Sequence, residues 1–112
     1  MKKLEIIIRP DKLDLLKKIL DDCGCGGMTV NAVMGCGMQR GNIVEMTGQK
    51  LNINLIPKIQ INVVIRDEGL ESILSEIQTK ISTGNVGDGK VFIYEVGDAM
   101  RIRTGERGTK AI

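Results

Sequence analysis

Apolar residues follow two periods along this 112-residue chain and predict strands and helices. β-Branched runs and alternation in steps of two, clearest at Ile59, Ile61, Val63 and Ile65, predict strands. Apolar stripes at spacings of three and four residues predict amphipathic helices. The predicted strands cover residues 2–9, 28–36, 58–66 and 90–96, and the predicted helices cover residues 11–22 and 70–81.

The element order β-α-β-β-α-β predicts an α+β fold, the ferredoxin-like split βαβ arrangement. In this fold two helices cover one face of a four-stranded antiparallel sheet, and we expect residues 1–112 to form a single domain. We expect the other face to be apolar and to carry Ile6, Ile8, Ile61 and Val63. Such a face would need a cover, so we expect self-association in a closed ring of sheets.

Two segments exceed this minimal fold. About twenty residues, 37–57, separate the second and third strands without clear periodicity. A loop of that length in a small domain is usually functional, so this loop is a candidate for binding a partner. The C-terminal tail, about residues 98–112, is basic and polar.

Composition argues against several classes of function. The chain has no histidine, which removes the commonest general base and the usual nucleophile pairs, so we expect no enzyme. Phe92 and Tyr94 are the only aromatic residues, too few for the sheet-surface stacking that RNA-recognition domains of the same element order use. A net charge of +2 is also small for a nucleic-acid binder.

Cysteine usage and hydropathy favour a cytoplasmic, reducing compartment. Cys23, Cys25 and Cys36 are odd in number and make a poor disulfide framework. A metal site at these cysteines is disfavoured because no fourth ligand is evident. The longest apolar runs are three or four residues, far short of a signal peptide or a membrane span.

A glycine-rich stretch after the second helix could hold an anion. Residues 84–90, GNVGDGK, match the start of a phosphate-binding P-loop, but Val91 replaces the Ser/Thr and the segment runs from helix to strand, so the P-loop motif is rejected. The stretch remains either a plain turn or a cradle of backbone donors with one lysine.

Other cations strengthen the cradle interpretation. Arg101 and Arg103 would project to one side of an extended chain, and guanidinium groups suit phosphate. Lys58 lies at one base of the long loop, and Gln39 and Arg40 lie at the other. The pattern therefore predicts a polyanion site at the foot of this loop.

These stretches resemble the PII family of nitrogen-regulatory signal-transduction proteins, and the resemblance covers the whole chain. It rests above all on two blocks, residues 83–92 (TGNVGDGKVF) and residues 101–108 (RIRTGERG). Residues 7–13, 27–30 and 55–58 resemble the family as well.

The resemblance implies a homotrimer that binds ATP or ADP, as competing effectors, in clefts between subunits. The phosphates would be bound by Lys90, Arg101 and Arg103, and the adenine would be read near Thr29 and Val64. The full set of implied nucleotide-binding residues is Thr29, Gly35, Cys36, Gly37, Met38, Val64, Gly87, Asp88, Gly89, Lys90, Arg101 and Arg103.

The resemblance also implies binding of 2-oxoglutarate together with Mg-ATP at the base of the loop, which in this family is the T-loop. Gln39 would bind Mg²⁺, Lys58 would pair with the distal carboxylate, and the amides near Arg40 and Gly41 would assist. The T-loop would then engage or release a target such as an ammonium channel or glutamine synthetase. Membrane contact would come only through a channel partner.

Five positions depart from the family pattern. Leu51 replaces the tyrosine that is uridylylated in many members, and Gln49 replaces a phosphorylated serine, so we expect regulation by ligands alone. Thr47 stands where an arginine enters channel pores, and Met38 and Asn62 replace charged residues of the cleft. The alternative is therefore a divergent member that binds nucleotide but not 2-oxoglutarate and serves a target outside ammonium transport.

Overall fold

A computed structural model describes residues 1–36 and 55–112, and for residues 43–46 and 49–52 it describes the backbone. The helices are α1 (Leu13–Asp22) and α2 (Leu70–Ile81), each preceded by a short 3-10 turn. The strands are β1 (Lys2–Ile8), β2 (Thr29–Gly35), β3 (Ile43–Met46), β4 (Gln49–Asn52), β5 (Ile56–Ile65) and β6 (Gly89–Glu95).

Four of the strands form one antiparallel sheet in the order β2-β5-β1-β6. This order, with the two helices in the crossovers, confirms the predicted ferredoxin-like α+β fold. Strands β3 and β4 pair with each other as a separate antiparallel ribbon inside the segment predicted to be a loop. The predicted loop also ends earlier than expected, because Ile56 and Pro57 already belong to β5 and pair with Gly35 and Met34.

The helices form where proline and the apolar spacing allow them. Pro10 begins the turn before α1, where its missing N–H costs nothing. Helix α2 buries Ile73, Ile77 and Ile81, which are spaced four residues apart. Lys80 lies in its final turn, where a cation interacts favourably with the helix dipole. Both helices lie on the same face of the sheet. The core between them and the sheet contains Leu4, Ile6, Ile8, Leu16, Ile19, Leu20, Ile61, Val63, Ile65, Ile73, Ile77 and Ile81.

The expected apolar open face is wrong. Ile6, Ile8, Ile61 and Val63 lie under the helices and are at most 2% exposed. In β1 the side chains of alternate residues point to opposite faces, and the helices cover the face that carries Leu4, Ile6 and Ile8.

The open face is polar instead. The carboxylate of Glu5 accepts hydrogen bonds from Gln60 at 2.6 Å and from Tyr94 at 3.2 Å. Lys3 lies over the Tyr94 ring, 5.4 Å from its centroid. Within the sheet, the exposed apolar side chains lie on the two edge strands, at Val30, Met34, Phe92, Ile93 and Tyr94. Phe92 and Tyr94 share the open face with Glu5 and Lys3, with which they pair. Any cover for apolar surface is therefore needed at the edges of the sheet.

Gly89 provides a test of the close approach between β1 and β6. Its φ is +110°, and a Cβ there would lie 1.8 Å from the carbonyl oxygen of Ile7. The G89A variant should therefore lose about 2–4 kcal/mol of unfolding free energy, from strain and the clash together. G24A is the matched control, since Gly24 also has a positive φ but no described atom lies within 4 Å of its added Cβ. We expect it to cost about 1 kcal/mol in urea unfolding, and equal losses in both variants would contradict the clash.

Candidate functional site

The turn between α2 and β6, residues 84–89 and hereafter the glycine turn, is organised by the carboxylate of Asp88. This carboxylate accepts hydrogen bonds from the backbone N–H of Thr83 at 2.8 Å and of Gly84 at 3.0 Å, and from the Thr83 hydroxyl. The hydrogen bonds from Thr83, with help from Gly84 and Arg9, lower the pKa of Asp88 to about 2. The turn is therefore closed by an ionised carboxylate throughout the neutral range.

Two cations from the neighbouring strands hold the same turn. Arg9, directly after β1, donates a hydrogen bond to the carbonyl of Val86 at 2.8 Å and lies 3.6 Å from the Asp88 carboxylate. Lys58 of β5 is buried and donates to the carbonyl of Gly87 at 2.6 Å. Burial lowers the pKa of Lys58, the Arg9 guanidinium adds to that effect, and Asp88 opposes it. The glycine turn is thus hydrogen-bonded to Lys58, the first residue of β5 after the 37–57 segment.

Gly35 joins this cluster from the other side. It ends β2, and a Cβ at this position would meet the side-chain stem of Lys58 at 3.2 Å. Lys90 follows the turn as the second residue of β6, where it pairs with Ile7 and remains exposed. One end of the sheet therefore collects Gly35, Lys58, Gly87, Asp88, Gly89 and Lys90.

A groove with a volume of about 530 Å³ lies near the opposite end of the sheet. Thr29, Val64 and Arg101 line it, together with Lys3 and Asn62. The remaining lining residues are Gly26, Gly27, Met28, Val63, Ala111 and Ile112. The volume is within the range of small-molecule sites.

Asn62 gives this groove an unsatisfied polar group. Its Oδ1 is buried and has no hydrogen-bond partner among the described residues. A buried acceptor of this kind costs free energy unless a donor reaches it.

The C-terminal tail is ordered differently from the extended chain that was expected. Residues 102–104 form a turn, in which the N–H of Gly105 donates to the carbonyl of Arg101 at 2.7 Å. The Arg101 guanidinium bonds the Glu106 carboxylate at 3.0 Å. Inferring the directions of Arg101 and Arg103 from alternate positions of an extended strand was therefore wrong, because the local hydrogen bonds curl the chain.

A second ion pair holds the tail to the end of the sheet. Arg107 bonds the Asp98 carboxylate through Nε and Nη2 and lowers the pKa of Asp98, and the N–H groups of Ala99 and Gly108 donate to the same carboxylate. The last residues, Ala111 and Ile112, are thereby brought to the groove wall.

Comparison with known proteins shows which family this chain resembles. The sequence profile described as nitrogen regulatory protein P-II matches residues 1–106. Nitrogen regulatory protein P-II 2 of Methanothermobacter thermautotrophicus is 44% identical over 112 residues, which cover all of this chain and 97% of that protein. Nitrogen regulatory protein P-II of Rhodospirillum rubrum is also 44% identical, and that of Azospirillum brasilense is 42% identical, each over the full length of both chains.

The chain belongs to the P-II family. It is therefore a signal-transduction regulator of nitrogen metabolism, and its family consists of regulators rather than enzymes. No helix in the described part of the chain is long and apolar enough to cross a membrane. Nor do the described residues contain a group of three or more histidine, cysteine or carboxylate side chains placed to bind a metal.

The predicted P-II site residues fall into two separate groups. Gly35, Gly87, Asp88, Gly89 and Lys90 lie with Lys58 at one end of the sheet. Thr29, Val64 and Arg101 line the groove. Cys36 directly follows Gly35 and is exposed, and Arg103 is exposed in the tail turn. Gly37, Met38, Gln39, Arg40 and Gly41, like Thr47, lie outside the described residues.

Sequence reasoning missed Arg9 and Thr83 as supports of this candidate site. Both lie in stretches that resemble the family, but nothing in their spacing links them to Asp88. The strand register supplies the link, because Gly89 pairs with Ile8 and so brings the glycine turn to Arg9.

The low pKa of Asp88 predicts how its contribution to stability depends on pH. Because the folded pKa, about 2, lies below the usual 3.8, the contribution is complete above about pH 5 and is lost as pH falls through about 2. D88N should therefore unfold at lower urea concentration than the native protein at pH 7, and the difference should shrink steadily between about pH 5 and pH 2. D11N, at an exposed carboxylate, is the control. A difference for D88N that does not change with pH would contradict the assignment.

Proposed function

We propose that this P-II protein senses adenine nucleotides and 2-oxoglutarate and regulates a target of nitrogen metabolism through the 37–57 segment. The observation that carries the proposal is the pair of half-sites, the glycine turn with Lys90 and the groove with Arg101. Each half offers groups that suit one part of a nucleotide.

The glycine turn suits a polyphosphate. Asp88 fixes the turn from inside by taking the N–H groups of Thr83 and Gly84. Because these hydrogen bonds fix the backbone of the turn, its other N–H groups would bind an anion at little further ordering cost, and Lys90 adds a cation beside them. The proposed ligand therefore places its phosphates at residues 87–90.

The groove suits an adenosine. Thr29, Val64 and Asn62 line its wall, and we propose that the adenine base lies against them. Arg101 lies at the same wall. If it exchanged its hydrogen bond to Glu106 for one to the ligand, its guanidinium would bind phosphate oxygens.

The two halves cannot converge on one phosphate within one chain. Gly89 pairs with Ile8, and Arg101 lines the groove with Lys3, five residues earlier in β1. Five strand residues span about 16 Å, whereas groups that share one phosphate lie within a few ångströms of it. We therefore propose that the glycine turn of one chain and the groove of the next complete each site, in a homotrimer with three nucleotides.

The exposed edge strands are consistent with this assembly. Val30 and Met34 on β2, and Phe92, Ile93 and Tyr94 on β6, are between 41% and 57% exposed. Apolar side chains on two unpaired sheet edges favour contact between copies of the chain.

Lys58 would couple the nucleotide to the 37–57 segment. It bonds Gly87 in the phosphate-binding turn and lies two residues into β5, where that segment ends. We propose that 2-oxoglutarate, bound with Mg-ATP, pairs its distal carboxylate with Lys58, with Gln39 on Mg²⁺ and the amides of Arg40 and Gly41 nearby. An ammonium has three N–H donors, so contacts with Gly87 and with a ligand are compatible.

Differential binding of the effectors would then shift the segment between target-binding and target-releasing states. A nitrogen-metabolism protein such as an ammonium channel or glutamine synthetase is the proposed class of target.

Complementation between two defective chains tests the shared site. K90A and R101A should each weaken ADP binding about tenfold or more, because each removes a charge-assisted contact. When the two variants are mixed and reassembled, about one quarter of the sites regain both groups and bind ADP with native affinity in titration calorimetry. K17A, at an exposed lysine of α1, is the control and should bind normally. A mixture that shows no high-affinity sites would contradict assembly from two chains.

Binding of 2-oxoglutarate distinguishes the proposal from the divergent alternative. The alternative is favoured by Asn62, an uncharged residue at the groove. Titration calorimetry should show heat for 2-oxoglutarate only when Mg-ATP is present. K58M should abolish this heat even at Mg-ATP concentrations that saturate the variant. Nucleotide binding without any response to 2-oxoglutarate would establish the divergent alternative instead.

A further inference from the structure

Two of the three cysteines flank a tight turn at the end of α1. The N–H of Gly24 donates to the carbonyl of Asp21 at 2.9 Å, and the N–H of Cys25 donates to that of Leu20 at 2.9 Å. With a φ of +77° at Gly24, this is a Schellman motif. It places Cys23 at the helix end and Cys25 two residues later, on either side of a left-handed glycine.

We propose that Cys23 and Cys25 form a reversible intramolecular disulfide, and that this Cys-Gly-Cys turn is a thiol-oxidation site. Both cysteines are free thiols in the described structure. The Cα atoms of two residues that are separated by one other residue lie at most about 7 Å apart in an extended chain, and the turn at Gly24 shortens that distance. That brings the two Cα atoms into the range that disulfides need, about 4.4–6.8 Å.

The two thiols differ in a way that assigns their roles. Cys23 is exposed, whereas Cys25 is half-buried and packs against the core. Burial raises the pKa of Cys25, and a thiolate at Cys23 raises it further, so the two thiols are close enough to interact. Cys23 is therefore the attacking thiol and Cys25 the resolving thiol.

The proposed reaction uses a low-molecular-weight disulfide as oxidant. The Cys23 thiolate attacks one sulfur of that disulfide, a mixed disulfide forms, and one thiolate leaves. Cys25 then loses its proton and attacks Cys23 Sγ, and the second thiolate leaves. Two protein thiols are oxidised, one external disulfide is reduced, and the two leaving thiolates take up the two protons that the cysteines lose, which gives two free thiols.

The third cysteine cannot replace either partner within the chain. Cys36 directly follows β2, whose seven residues begin at Thr29, so it lies about 20 Å further along the sheet from the turn. The small ring closed by Cys23 and Cys25 would be strained and hence easily reduced, which is typical of reversible rather than structural disulfides.

Intact-mass measurement in glutathione buffers tests the proposal, with C36S as the starting protein. As the fraction of oxidised glutathione rises, this protein should lose two hydrogen atoms and keep no glutathione. The added C25S substitution should trap one glutathione on Cys23. The added C23S substitution should react about tenfold more slowly, because Cys25 is half-buried.

Three outcomes would overturn the proposal. The first is a C36S protein that retains glutathione without losing two hydrogens. The second is an equal reaction rate for the C23S and C25S versions. The third is an oxidised C36S protein that non-reducing electrophoresis shows to be cross-linked between chains. Circular dichroism of each variant should match the native protein, and the C36S protein alone decides the question if either double variant does not fold.

Discussion

The carboxylate of Asp88 accepts hydrogen bonds from the N–H groups of Thr83 and Gly84, and the proposed site depends on this interaction. A glycine-rich turn is costly to order, since glycine loses more backbone freedom than any other residue. An ionised carboxylate with several donors offsets that cost, and Arg9 and Lys58 then fix two carbonyls of the same turn. The turn arrives preformed at the sheet, so a phosphate would meet donors that are already oriented.

The position of this turn explains why the chain would act as an oligomer. The fold puts the glycine turn at one end of the antiparallel sheet and the groove near the other, because β1 runs between them. No rearrangement of one chain brings Lys90 and Arg101 onto one phosphate without breaking the sheet. A neighbouring chain can supply the missing half, and its contacts would also cover the apolar residues of the edge strands. Ligand binding and assembly would then reinforce each other.

Much of the fold could be predicted from the sequence, because its helices and strands have clear apolar periods. The stripe Ile73, Ile77, Ile81 predicts the buried face of α2 correctly. Counting apolar residues could not show which face of the sheet the helices cover. They cover the alternate set of side chains that contains Ile6 and Ile61.

The site was predictable where it depends on residue type and not where it depends on contacts across the fold. Glycines and cations at 84–90 and 101–103 together predict an anion site, although residues 84–90 alone left a plain turn open. The turn that joins Arg101 to Glu106, and the link from Arg9 to Asp88, depend on hydrogen bonds that no periodicity encodes. The separation of Gly89 from Arg101 follows from strand register, which became visible only in the sheet.

The most direct test of the shared site is native mass spectrometry of the protein across a dilution series with ADP. The account predicts trimers that carry up to three nucleotides and dissociated single chains that carry none. Single chains that hold ADP as fully as the assembled protein would contradict it, because each chain would then possess a complete site.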